Sequence, residues 1–263
     1  MTGPIAVSCG EPAGIGPEIA AKAWAALRGD LPFFLIGDPT HVPEGTPVAV
    51  LFDPAEAQAA SAHALPVLPH PFPAAAVPGR PDPANAAEVI AAIARGVELV
   101  QSGAAAALCT APINKKALKD GANFAYPGHT EYLAALAGVE HVVMMLTCDA
   151  LRVVPATIHI PLSQVPWALN APLLERVLRT TDASLRRDFG IAAPRIAVAG
   201  LNPHAGEGGA MGLEDRDLIA PVLDMLRRDE LDLRGPLSAD TMFHAAARAD
   251  YDAAVCMYHD QAL

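Results

Sequence analysis

Apolar residues fall along this chain in short runs set between longer stretches of helical periodicity. Residues 5–9, 33–36 and 48–52 are runs of strand length, and the first leads into 18–27, where apolar side chains recur at helical spacing. Short buried runs alternating with helices predict parallel strands joined by crossover helices. Between residues 66 and 84 stand seven prolines, Pro66, Pro69, Pro71, Pro73, Pro78, Pro81 and Pro83. Each lacks an amide donor, so the segment is expected to be an exposed connection without a regular ladder. An alanine-rich helix is expected over 85–101 and a strand over 104–109. The rhythm then resumes with strands over 141–147 and 152–159, a helix over 172–187, a strand over 195–201, a helix over 214–228 and a closing strand over 253–257. No repeat of fixed period is visible, which disfavours a solenoid.

Composition narrows the functional classes. The chain has 263 residues, 52% of them hydrophobic, enough for a large core in one or two domains. Its net charge of -11 disfavours both nucleic acid and an anionic membrane as partners. No apolar run reaches membrane-spanning length, and the start on a strand-like segment predicts a cytoplasmic location. Cys9, Cys109, Cys148 and Cys256 form no CxxC pair and read as buried thiols of a reducing compartment.

Several segments carry candidate chemistry. Residues 10–17, GEPAGIGP, lie between the first strand and the first helix, where free amides could hold an anion or cofactor, although a tight structural turn fits as well. Lys115, Lys116 and Lys119 cluster after the strand ending near Thr110, in position for a phosphate or carboxylate, or as a solvated helical turn. His129 and Thr130 follow Pro127-Gly128 at a loop-to-helix junction; Thr130 suits an N-cap, and the pair suits a phosphate. His159, His204 and His259 each follow a predicted strand. Strand ends of an open α/β sheet gather on one edge, so the imidazoles could converge on a divalent ion and leave positions open for substrate oxygens. A lone strand-end histidine is more often a hydrogen-bonded structural residue, and three in the same topological position favour ligation more than one does. Asp240 reads as a helix N-cap, as a carboxylate orienting a ligand, or as a general base.

Taken in order, GEPAGIGPE at 10–18, TAPINK at 110–115, GHTE at 128–131, ATIHIPL at 156–162, residues 201–209, residues 235–243 and MYHDQ at 257–261 resemble the 4-hydroxythreonine-4-phosphate dehydrogenase family of vitamin B6 biosynthesis. The resemblance implies a two-domain α/β/α isocitrate/isopropylmalate dehydrogenase-like fold, not a Rossmann fold. The expected domains are residues 1–127 and residues 128–263, the second carrying the metal ligands and a dimer interface. It further implies a homodimer in which His159, His204 and His259 hold one divalent ion (zinc, magnesium or cobalt) shared between subunits, with His129 and Thr130 on the substrate. Asp240 and Lys115 are the catalytic candidates, and no residue is assigned to the cofactor. The implied reaction oxidises 4-phosphooxy-L-threonine, a small phosphorylated hydroxy amino acid, with NAD or NADP to a β-keto acid that loses CO2. A related four-carbon acid phosphate, threonate or erythronate 4-phosphate, is the alternative substrate. The family continues past the position of Leu263 with further substrate and cofactor contacts, so a chain ending there is expected to turn over poorly or to persist as a metal-binding remnant.

Overall fold

The computed structural model describes residues 3–262. They divide into two compact units, one running to Val142 and the other starting at Val143.

The first unit is built on five parallel strands: β1 (Ile5–Ser8), β2 (Phe33–Gly37), β3 (Val48–Val50), β4 (Leu65–Pro69) and β5 (Ala107–Thr110), in the order β3-β4-β2-β1-β5. Helices α1 (Gly16–Leu27), α2 (Ala57–Ser61), α3 (Ala86–Gln101), α4 (Lys115–Ala122) and α5 (His129–Ala137) accompany them. β2 is buried at every position, as its unbroken apolar run requires of a central parallel strand. Phe34, Leu35, Ile36, Leu65 and Val67 form the core with Trp24 of α1, whose indole N–H donates to the Ser61 carbonyl at 2.8 Å.

β4 corrects the reading of 66–84 as a connection without a ladder, because two of the prolines stand inside a strand. Pairing with β2 begins at Val67, and pairing with β3 ends there. Pro66 therefore precedes the first partner on one side and Pro69 follows the last on the other, so neither missing donor interrupts a ladder. α5 also departs from the expected limit at residue 127. It packs on α3, with Tyr132 Oη donating to the Ile90 carbonyl, and so belongs to the first unit.

The second unit holds β6 (Leu146–Cys148), β7 (Leu151–Thr157), β8 (Arg195–Ala199), β9 (Asp232–Leu237) and β10 (Ala253–Tyr258), in the order β6-β7-β10-β8-β9. Only the β6 pairing is antiparallel. α6 (Val165–Ala168), α7 (Ala171–Arg187), α8 (Ala220–Arg228), α9 (Ala239–Met242) and α10 (Ala245–Arg248) complete it, and a π-helical turn, Asp215–Ile219, leads into α8. α7 and α8 lay Leu174, Leu178, Leu185, Leu223 and Leu226 against Ile196, Val198 and Val255 of the sheet. The strand expected over 141–147 shrinks to β6, and β9 forms where no element was expected. Cys9 and Cys256 are buried as expected; Cys109, on edge strand β5, and Cys148, closing the short edge strand β6, are exposed. No helix among the described residues is long and apolar enough to cross a membrane.

Candidate active site

In the second unit the three candidate histidines follow β7, β8 and β10 at their C-terminal ends, the edge where open parallel sheets take ligands. β10 lies between β7 and β8, so His259 stands on the middle strand of the three. His159, two residues past β7, has φ of 55°, and His204 has φ of 52°. The left-handed region is uncommon for residues other than glycine, and such strain concentrates at functional positions.

The rings of His159 and His259 lie with centroids 5.8 Å apart and their planes tilted by 43°. With metal–nitrogen bonds of about 2.0–2.1 Å, two imidazoles on one ion place their ring centres about 5–6 Å apart, so this pair fits two ligand positions. Asp260 supports the same arrangement: its Oδ1 lies 2.7 Å from His259 Nδ1, which leaves Nε2 free to ligate. The two histidines line a pocket of about 150 Å³ with Thr157, Tyr258 and Asp260.

His204 does not join them, and among the described residues no three His, Cys, Asp or Glu side chains gather as a metal site. The physical reason is local. Residues 204–208 run through five successive left-handed conformations, and this turn carries His204 out to an exposed position.

Side-chain bridges nevertheless tie the three segments together. Thr157 Oγ1 donates to the Met257 carbonyl at 2.8 Å. Gln261 Oε1 accepts from the Met257 amide at 2.7 Å, and Gln261 Nε2 donates to the Gly200 carbonyl at 2.7 Å. Asp240 sits exposed in the first turn of α9, which packs against the His204 turn, and its Oδ1 accepts from Ser238 Oγ at 2.6 Å. Ser238, not Asp240, occupies the N-cap position.

The remaining candidates belong to the first unit. α5 starts at His129 with Gly128 as its N-cap, so Thr130 is not the cap and its hydroxyl is not spent on one. No side chain caps the first turn, whose free amides and dipole favour an anion. The Lys115 ammonium reaches this turn: a Cβ on Gly128 would stand 3.7 Å from Lys115 Nζ. His129 Nε2 is buried with no hydrogen-bond partner. Burial, and secondarily the charge of Lys115, hold the His129 imidazole below the ordinary histidine range. Of the other lysines, Lys116 is paired with Asp120.

The glycines of 10–17 resolve in favour of a structural turn. A Cβ on Gly10 would stand 2.3 Å from the Pro112 carbonyl oxygen, and one on Gly16 would stand 2.0 Å from that of Cys9. Glu11 N donates to Pro112 O at 2.9 Å and Ala13 N to Glu11 Oε1 at 3.1 Å, so the loop closes on its own backbone and side chain. A cavity of about 630 Å³ opens at the opposite edge of the first sheet beside Pro4, Pro32 and Ala106, and none of the candidate residues lines it.

The pyridoxal phosphate biosynthetic protein PdxA family matches the chain over residues 32–263. A 4-hydroxythreonine-4-phosphate dehydrogenase of Ruegeria sp. (strain TM1040) is 63% identical over 259 residues, covering 98% of this chain and 79% of that protein. The crystal structure of 4-hydroxythreonine-4-phosphate dehydrogenase from Klebsiella pneumoniae superposes with a TM-score of 0.89 at 37% identity, covering 99% of this chain and 83% of that one. A terephthalate 1,2-cis-dihydrodiol dehydrogenase from Burkholderia xenovorans LB400 shares the architecture with a TM-score of 0.71 at 31% identity, covering 98% of this chain and 80% of that one. The chain belongs to the PdxA family of pyridoxal phosphate biosynthetic proteins.

Proposed function

We propose that this chain is a cytoplasmic oxidoreductase that converts 4-phosphooxy-L-threonine, with NAD or NADP as hydride acceptor, into 2-amino-3-oxo-4-phosphooxybutanoate. That β-keto acid then decarboxylates to 3-amino-2-oxopropyl phosphate, a step toward pyridoxal 5'-phosphate. The two units serve as the domains of an isocitrate/isopropylmalate dehydrogenase-like fold.

The observation that carries the reading is the His159–His259 pair with Asp260 behind it. A zinc, magnesium or cobalt ion bound there, with His204 as third ligand, would lower the cost of developing negative charge on the substrate C3 oxygen. The pair alone supplies two ligands, which supports a site completed when a second copy of the chain docks. Exposed Ile160, Leu162 and Trp167, beside His159 in sequence, support a homodimer contact at this edge.

The first unit supplies substrate recognition. Lys115 and the free amides of α5 bind the phosphate, and the Thr130 hydroxyl donates to it. His129, held neutral, can both donate and accept, which suits a phosphate or hydroxyl contact. Asp240 is the base that takes the C3 hydroxyl proton.

NAD reduction at 340 nm with 4-phosphooxy-L-threonine and Co²⁺ tests the reading. Turnover that falls at least a hundredfold in His159→Ala and in Lys115→Ala is expected. Turnover indifferent to His159 would overturn it. Faster turnover of threonate 4-phosphate than of the amino acid phosphate would move the substrate to the related acid, as the dihydrodiol dehydrogenase neighbour shows this architecture can change substrate.

A further inference from the structure

Glu11, in the loop after β1, is a buried carboxylate without a counter-charge. It is only 5% exposed. Among the described residues its side chain accepts one hydrogen bond, from the Ala13 amide to Oε1 at 3.1 Å, and no lysine, arginine or histidine pairs with it. The second oxygen, Oε2, makes no bond, yet it is not sealed from solvent. Buried carboxylates ordinarily meet a cation or several donors, because a lone charge in a site of low dielectric is costly. What Glu11 lacks in the free chain, a ligand can supply.

The place of the loop in the sheet says where such a ligand lies. β1 and β5 run in register to Ser8 and Thr110, where both end. From β1 the chain crosses to β2 on one side, whereas β5 lies on the other, so the strand order reverses between these two neighbours. Open α/β sheets take ligands at such switch points, past the C-terminal strand ends. The Glu11 amide donates to the Pro112 carbonyl at 2.9 Å, which ties the two loops together. Three residues beyond Pro112, Lys115 opens α4, and its ammonium lies beside the uncapped N-terminus of α5. Glu11 and Lys115 do not pair with each other, so this edge of the first unit presents a positive subsite at Lys115 and α5 and a separate negative one at Glu11.

A phosphorylated amino acid carries the matching charges, phosphate at one end and ammonium at the other. We propose that Glu11 is a specificity-determining residue: its Oε2 takes the α-ammonium of the substrate, and so selects an amino acid phosphate over the corresponding hydroxy acid phosphate. The proposal rests on the reading of Lys115 and α5 as the phosphate site. A hydroxyl in place of the ammonium donates a weaker bond and leaves the buried charge uncompensated.

Calorimetric titration of the full chain with 4-phosphooxy-L-threonine and with threonate 4-phosphate provides the test, in wild type, Glu11→Gln and Lys115→Ala. Wild type is expected to bind the amino acid phosphate about ten- to a hundredfold more tightly, the worth of a charged hydrogen bond. Glu11→Gln keeps the shape and an oxygen for the Ala13 amide, and should erase that preference by weakening the amino acid phosphate alone. Lys115→Ala should weaken both ligands alike. Equal affinity of wild type for the two ligands, or a preference that survives Glu11→Gln, overturns the proposal and leaves the phosphate reading in place. No binding of either ligand, or affinities that Lys115→Ala does not change, overturns the phosphate reading and the proposal with it. If Glu11→Gln fails to fold by circular dichroism, the wild-type comparison still decides, and Glu11→Asp, which keeps the charge but withdraws it, should narrow the preference.

Discussion

Gly16→Ala separates a structural turn from a cofactor loop at residues 10–17, because the two readings predict opposite signs. Gly16 opens α1, and its φ is not in the left-handed region. From helix propensity alone, alanine should stabilise by up to about 1 kcal/mol. The structure reverses this, since the new Cβ would stand 2.0 Å from the Cys9 carbonyl oxygen and 3.1 Å from Ala111 Cβ. The first obstacle is backbone at the end of β1, which can yield only by pulling α1 away from the sheet. Forcing a methyl into such a packed site costs about 3 kcal/mol or more, leaving a net loss of about 2 kcal/mol after the propensity gain. With a urea slope of about 1–3 kcal/mol/M, the midpoint should fall by about 1 M. Trp24 is the natural reporter, being 4% exposed in α1, whereas Trp167 is 87% exposed in the second unit and can be replaced by Phe to leave one signal. A Trp24 midpoint that is unchanged or raised, together with weaker NAD binding, would refute the structural reading and return the loop to the cofactor.

Three further outcomes follow from the same structure. Among the four cysteines, Cys109 and Cys148 should react with a thiol reagent in the native protein, whereas Cys9 and Cys256, buried with pKa values pushed up to about 12, should react only on unfolding; fast native reaction of more than two thiols would contradict the burial. His129 has a folded pKa below its ordinary 6.5, so the unfolded chain takes up the proton first and this site's contribution to stability is lost as pH falls below about 6.5 toward the folded value. Lys115→Met should raise the His129 pKa, read by NMR titration of the ring, and a fall would show that Lys115 does not act on it. Leu178→Ala, fully buried between α7 and the second sheet, should cost about 3 kcal/mol and speed amide exchange in β8 and β10 while leaving β1 and β2 unchanged; equal acceleration in both units would show that they do not unfold separately.

What the chain discloses without coordinates follows from which interactions are local. β1, β2, β8 and β10 are short runs of apolar or small residues, and α3 and α7 carry helical periodicity, so each could be placed from its own residues. β4 was hidden because proline reads as a ladder-breaker, and only the offset between its two neighbours shows that Pro66 and Pro69 lose no partner. β9 was hidden because it contains Gly235-Pro236, and proline within a run argues against a strand unless that strand lies at a sheet edge, as β9 does. At the histidine edge, the strand-end positions of His159, His204 and His259 were legible, but the side-chain bridges were not. Thr157 meets Met257 across 100 residues and Gln261 meets Gly200 across 61, separations that leave no periodic trace.

Those bridges also explain why the recognisable segments of the second unit inform more together than singly. Residues 201–209, 235–243 and 257–261 each resemble an ordinary turn, cap or strand end taken alone. In the structure Gln261, one residue from Asp260, holds the Gly200 carbonyl at the entrance to the His204 turn, and α9 with Asp240 packs on that same turn. Thr157, two residues before His159, holds the backbone two residues before His259. Each histidine is thus placed by a bond made to, or from, another histidine's segment. A substitution at Gln261 should therefore disturb His204 as well as His259, whereas one at Asp260 should act on His259 alone.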